Sequence, residues 1–171
     1  MRVNPFVSGA LITAAIWGLA LLAASAAVPA GWTTYYNDRY GTTIDYPSTF
    51  TPEPPPDADD GRRFKSADGA SFSVSAAYNA MDFNLAEYRQ FIVEHIAPEA
   101  VIIYRAQGDN WFVISGTQGP NIFYERHVLS HKAEMTENFD MSYPASLRRT
   151  YDPIVARMAQ SFRPGMGFQT Q

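Results

Sequence analysis

Residues 71–96 read SFSVSAAYNAMDFNLAEYRQFIVEHI, and the period of the apolar residues changes in the middle of them. Phe72, Val74, Ala76 and Tyr78 alternate with Ser71, Ser73, Ser75 and Ala77, which predicts a strand with one buried face and one wet face. From Asn84 the spacing lengthens: Leu85, Tyr88, Ile92 and Ile96 fall three or four residues apart, the period of a helix. Asn84 is placed to cap that helix, with Glu87 at the third helical position completing a capping box, and Pro98 closes it. A half-wet strand followed by an amphipathic helix is the signature of a sheet covered by helices, and the flanking sequence extends both.

Upstream, Arg62 to Ser66 and Ala70 to Tyr78 flank Ala67-Asp68-Gly69, a hairpin signal with Asp-Gly at its tip. Before it, the stretch from Pro52 to Gly61 carries four prolines and four acids and predicts an exposed, extended loop. An earlier hairpin is predicted from Trp32 to Tyr36 and Thr42 to Tyr46, joined by Asn37-Asp38-Arg39-Tyr40-Gly41 and stopped by Pro47. Downstream, Val101 to Gln107, Trp111 to Thr117 and Ile122 to Ser130 predict an antiparallel meander, and a last strand ends at Tyr143. Asp152 as N-cap and Pro153 at the first helical position predict a closing helix with Ile154, Val155, Met158 and Phe162 on one side. The fold class is therefore α+β: an antiparallel sheet covered by two helices, in one domain over residues 31–165, with 166–171 as a disordered tail.

The N-terminus sets the address. Phe6 to Val28 contains no ionisable group and follows Arg2, the arrangement of a secretory signal. Ala24-Ser25-Ala26 and Val28-Pro29-Ala30 both end in the small-x-small pattern of a cleavage point, so residues 1–26 are expected to be a signal peptide cut after Ala26 or Ala30. The alternative is an uncleaved anchor over residues 6–28, since roughly 35 Å of helix would span a hydrocarbon core of about 30 Å. The expected location is the periplasm, or the inner membrane with the domain outside if the anchor is retained. With no Cys in the chain, there is no thiol for a lipid anchor or a disulfide, and the core must supply the stability. The net charge of −4, with basic residues scattered, argues against a nucleic-acid partner.

The run from Trp32 to Phe50, the hairpin from Phe64 to Val74 and the ending from Tyr143 to Phe162 together resemble small exported alphaproteobacterial proteins with the PsbP-like fold, over nearly the whole mature domain. The resemblance implies an α/β sandwich. Domains of this fold, it further implies, include an extrinsic subunit of the photosystem II oxygen-evolving complex, a nuclear GTPase-binding factor and DcrB-type envelope proteins, which mostly bind other proteins and share no catalytic motif. Fold by itself does not give function.

Candidate chemistry is sparse. Glu125, His127 and His131 would suit zinc on a helix, but the segment belongs to the meander, where four residues of strand separate two side chains by roughly 13 Å. Glu125 and His127 share a strand face and stand as weak metal candidates. Asp57 to Gly61 resembles a calcium loop with its glycine one place early and no closing Glu. No Gly-x-Ser-x-Gly, no Cys nucleophile and no phosphate loop occurs, and His95 near the end of the first helix fits the helix dipole. The aromatic residues Trp32, Tyr35, Tyr36 and Tyr40 of the first hairpin are candidates for a partner- or ligand-binding patch. These features predict a non-catalytic periplasmic binding or accessory module without cofactor, whose partner is an envelope protein or a small ligand. The alternatives are a periplasmic enzyme with a carboxylate/His site and a membrane-tethered structural protein. N-terminal sequencing of the envelope form tests the address: a start at Ala27 or Gly31 is expected, and a start at Met1 with membrane sedimentation would establish the anchor instead.

Overall fold

The computed structural model describes residues 31–96 and 99–165. The expected leader or anchor with its cleavage points, the helix-closing role of Pro98 and the tail at 166–171 lie outside those residues. The first hairpin forms as its aromatic and β-branched arms predict, with β1 (Trp32–Tyr36) antiparallel to β2 (Thr43–Pro47). The remaining strands are β3 (Thr51–Pro52), β4 (Gly61–Lys65), β5 (Ser71–Tyr78), β6 (Ala100–Gln107), β7 (Trp111–Gln118), β8 (Asn121–Ser130) and β9 (Met135–Pro144). They build one seven-stranded sheet in the order β3-β4-β5-β9-β8-β7-β6, with every neighbouring pair antiparallel. The helices are α1 (Leu85–His95) and α2 (Arg148–Ser161).

Alternation decides the two faces of the sheet. In β9 the odd positions Met135, Glu137, Phe139, Met141 and Tyr143 are buried, while the even ones are partly open. The odd face joins Phe64, Phe72 and Val74 in the main core, which α2 closes with Tyr151, Ile154, Val155 and Met158, followed by Phe162 just past its end. The aromatic content is spent here: Phe64 stacks on Phe72 at 4.4 Å, and Tyr46 and Phe50 pack on the same pair. A second core forms on the opposite face where α1 lays Leu85, Tyr88 and Ile92 over Phe112, Ile114, Phe123 and Leu129. The capping box is present, with Asn84 Oδ1 accepting from the Ala86 and Glu87 amides and Glu87 accepting from the Asn84 amide.

Two expectations need correction. The closing helix does not begin at Asp152: a short 3-10 turn over Ala145–Leu147 runs directly into α2 at Arg148, and Pro153 lies inside the helix. Burial of Tyr151, stacked on Tyr143 at 5.2 Å, requires helical geometry upstream of Asp152. The carbonyl that Pro153 leaves without an amide partner is that of Arg149, an exposed residue that water can satisfy. Tyr78, placed by alternation on the buried side of β5, is 55% exposed, because the strand runs past the end of the core there.

A glycine fixes the spacing of the last two strands. A Cβ on Gly116 would stand 1.9 Å from the carbonyl oxygen of Val101 in β6, next to the bulge between Ile102 and Tyr104. Gly116→Ala should therefore force β6 away and lower the unfolding free energy by about 1–3 kcal/mol, read from denaturant midpoints. An unchanged midpoint would show that the close approach does not matter.

Candidate functional site

The even face of β9 carries the chemistry. Register places Arg63, Ser73, Asp140, Glu125 and Ile114 in one row across β4, β5, β9, β8 and β7, and Gly61, Ser75, Asn138, His127 and Phe112 in the next. α1 covers the end of these rows that holds Phe112 and Ile114, and the end toward β4 stays open and polar. Glu125 and His127 therefore lie at the margin of the α1 cover, in an open groove that they line with Tyr88, His95, Asn138 and Asp140.

His127 is held from three sides. Its ring is stacked on Phe112 at 4.7 Å, its Nδ1 lies 3.2 Å from the Tyr88 hydroxyl, and its Nε2 lies 3.1 Å from Glu125 Oε2. Asp140 comes in from β9 with Oδ1 at 4.0 Å from the same Nε2. Its Oδ2 accepts from Asn138 Nδ2 at 2.6 Å and from the Ser73 hydroxyl at 3.3 Å, while Ser75 in turn donates to Asn138. Asp140 Oδ1 is a buried atom without a hydrogen-bond partner. Burial pushes the Asp140 carboxyl up to about 6, against the opposing pull of His127 and with Glu125 adding to it. Burial, then the charges of Asp140 and Glu125, push the Tyr88 phenol up to about 12, so it stays protonated.

Of the residues singled out in the sequence, Glu125 and His127 do meet, and Asp140 joins them. Asp140 is 13 positions from His127 and becomes visible only once β8 and β9 are in register. His131 stands apart: it opens a turn with left-handed backbone at His131, Lys132 and Ala133, and its Nε2 lies 2.9 Å from the Gly165 carbonyl. Ser115 donates to the Phe123 carbonyl. His95 stacks on Phe91, with Nδ1 near the Phe91 carbonyl.

The four aromatics expected to form a patch on the first hairpin are buried to different degrees. Tyr40 is 3% exposed, packed with Ala76 and Met135, because the turn folds back and Asn37 Oδ1 accepts the Tyr40 amide. Tyr35 meets Phe64 edge-on, and Trp32 packs on the main core with the Arg157 guanidinium 3.9 Å above its ring. Of these four aromatics only Tyr36, at 52%, is a large exposed side chain.

No protein-family model matches the chain, and no curated protein matches it. Solved structures do. The cyanobacterial PsbP (CyanoP) of Synechocystis sp. PCC 6803 superposes with a TM-score of 0.59 at 16% identity, over 91% of this chain and 99% of that one. The Ran-binding protein Mog1p of Saccharomyces cerevisiae superposes with a TM-score of 0.55 at 14% identity, over 78% of this chain and 95% of that one. At such identities the likeness is one of fold, and the fold is PsbP/Mog1-like α+β.

The raised Asp140 carboxyl has a consequence for stability. The folded state holds this proton more tightly than the unfolded chain does, so stability falls as pH rises from about 4 to about 6 and is flat above. Asp140→Asn removes that loss: its advantage over the wild type should be absent at pH 3.5 and reach about 1 kcal/mol at pH 7.5, allowing for partial solvent access. Thermal melts across this range check it, and a pH-independent difference would be the contrary result.

Proposed function

We propose that the protein is an exported, non-catalytic accessory module of the cell envelope that docks on a partner protein along the free edge of β6. The observation that carries this reading is the contrast between the two ends of the sheet. At one end β3 is two residues long and contains Pro52, a blunted edge. At the other, β6 is eight residues long, and Val101, Ile103 and Tyr104 are 59, 72 and 56% exposed, with Arg105 its only charge. An edge of that length, left apolar and without lysine, suits an extended partner strand with apolar residues at alternate positions. Tyr104 also opens onto a groove on the α2 face lined by Ile122, Tyr124, Tyr143 and Val155, which would receive side chains of the same partner.

The fold neighbours support a protein-binding role, since Mog1p is a Ran-binding protein. Export to the periplasm, which rests on the N-terminal sequence, and kinship with DcrB-type envelope proteins, which rests on the resemblance of residues 32–50, 64–74 and 143–162, belong to the same proposal. The competing enzymatic reading is favoured by one observation, the meeting of Glu125, His127 and Asp140 in a groove. Against it, the groove is open to solvent, and the Ser115 hydroxyl lies on the opposite, α2 face of the sheet, where it donates to the Phe123 carbonyl.

Crosslinking of the full chain in envelope membranes tests the proposal. The pair Val101→Lys and Ile103→Lys should leave the circular dichroism spectrum unchanged and reduce the crosslinked partner at least tenfold. Undiminished crosslinking would remove β6 as the docking edge, a homodimer in light scattering would make the partner a second copy, and turnover in a hydrolase screen would overturn the non-catalytic reading.

A further inference from the structure

We infer that Glu125, His127 and Asp140 form a binding site for a single divalent transition-metal ion, with Tyr88 as the residue that orients the histidine. The inference is independent of the β6 edge. One ligand atom from each residue lies within 4.8 Å of the other two. The His127 Nε2 to Glu125 Oε2 separation is 3.1 Å and that to Asp140 Oδ1 is 4.0 Å. Ligand atoms around an ion with bonds of about 2.0–2.2 Å stand roughly 3.3 Å apart in a tetrahedral site. Glu125 and His127 are already near that spacing, and Asp140 needs to close by about 0.7 Å on His127 and by up to roughly 1.5 Å on Glu125. That closure breaks nothing at Oδ1, the buried oxygen without a partner, and Oδ2 can keep its bonds to Asn138 and Ser73.

The surroundings supply what a ligand shell needs. His127 is 4% exposed and its ring plane is fixed by Phe112, so Nε2 points at the two carboxylates at little further cost in side-chain entropy. With neutral His127 and no ion, Nε2–H donates to Glu125 and the Tyr88 hydroxyl donates to Nδ1. To ligate, Nε2 must give up its hydrogen to Nδ1, which then donates to the Tyr88 oxygen. A phenol can take either role without moving, so the same 3.2 Å contact serves both tautomers. Two carboxylates carry the charge that balances a divalent cation. One imidazole with two carboxylates selects Zn²⁺ or Mn²⁺ over Ca²⁺, which prefers six or more oxygen ligands. The fourth side opens into the groove, so the ion would keep a position for water or an incoming ligand.

Isothermal titration of the EDTA-treated full chain in mild detergent tests this with Zn²⁺, Mn²⁺ and Ca²⁺ as separate probes. One equivalent of Zn²⁺ should bind at micromolar concentration or tighter, Mn²⁺ more weakly and Ca²⁺ weakest. Asp140→Asn and Glu125→Gln should each weaken Zn²⁺ at least tenfold while the protein stays folded, and Tyr88→Phe should weaken it by about tenfold. Nitrogen NMR of the His127 ring should show the hydrogen moving from Nε2 to Nδ1 on addition of Zn²⁺, a change that a purely structural role for Tyr88 and His127 would not produce. Absence of stoichiometric binding, Ca²⁺ binding as tight as Zn²⁺, or binding that survives both carboxylate variants and is lost in His95→Ala would each overturn the inference.

Discussion

The pairing of β9 between β5 and β8 is the constraint on which the rest of the structure depends. Eight register pairs join β9 to β5, and ten join it to β8, so no residue of this strand is free to slip. A slip of one position would send Phe139 and Met141 into water and Asp140 into the apolar core, at a cost no single compensating contact could offset. Because the register is so firmly held, the even positions of β9 become fixed points on the wet face. Asp140 meets Glu125 for the same reason that Phe139 meets Phe72.

Polar groups tie the layers together where apolar packing does not reach. Glu137 points into the α2 side of the sheet and is 1% exposed, yet it accepts from the hydroxyls of Thr42 and Ser130 and from the Gly165 amide. One carboxylate thus joins the first hairpin, the β8 end and the segment after α2. A Cβ at Gly165 would stand 1.8 Å from the Tyr40 carbonyl oxygen, so this knot also requires glycine there. Such a fully satisfied buried network fixes one arrangement of the pieces, whereas removing a single partner would leave the buried carboxyl one donor short.

Much of the fold was legible in the sequence because the signals were local. Alternation in residues 71–76, the Asn84 capping box and the turn residues of the meander each act within a few positions, and the structure keeps them. The start of α2 was misread at Asp152 and Pro153, because a proline that is allowed at a helix start is also tolerated further in when the orphaned carbonyl faces solvent. Tyr40 was misplaced because a turn residue's burial depends on what the turn folds back upon, here Ala76 and Met135. The meeting of Glu125 and His127 was readable from their spacing in one strand. Asp140 was not, since its place beside them is a property of strand register between two segments.

The position of β9 in the sheet also bears on the order in which the molecule can assemble. β4 and β5 pair with each other through a short turn, but the other side of β5 waits for residues 57 to 71 positions later, after α1 and the meander have been made. For a chain emerging from its N-terminus, the exposed flank of β5, with Phe72 and Val74 uncovered, precedes its partner by several seconds at ordinary rates of synthesis. The meander and β9 can close quickly among themselves, since their contacts are short in sequence, and the slow step is the capture of the earlier hairpin across that long loop. During this interval the nascent chain carries an open apolar strand, which makes it a natural client for a holding chaperone.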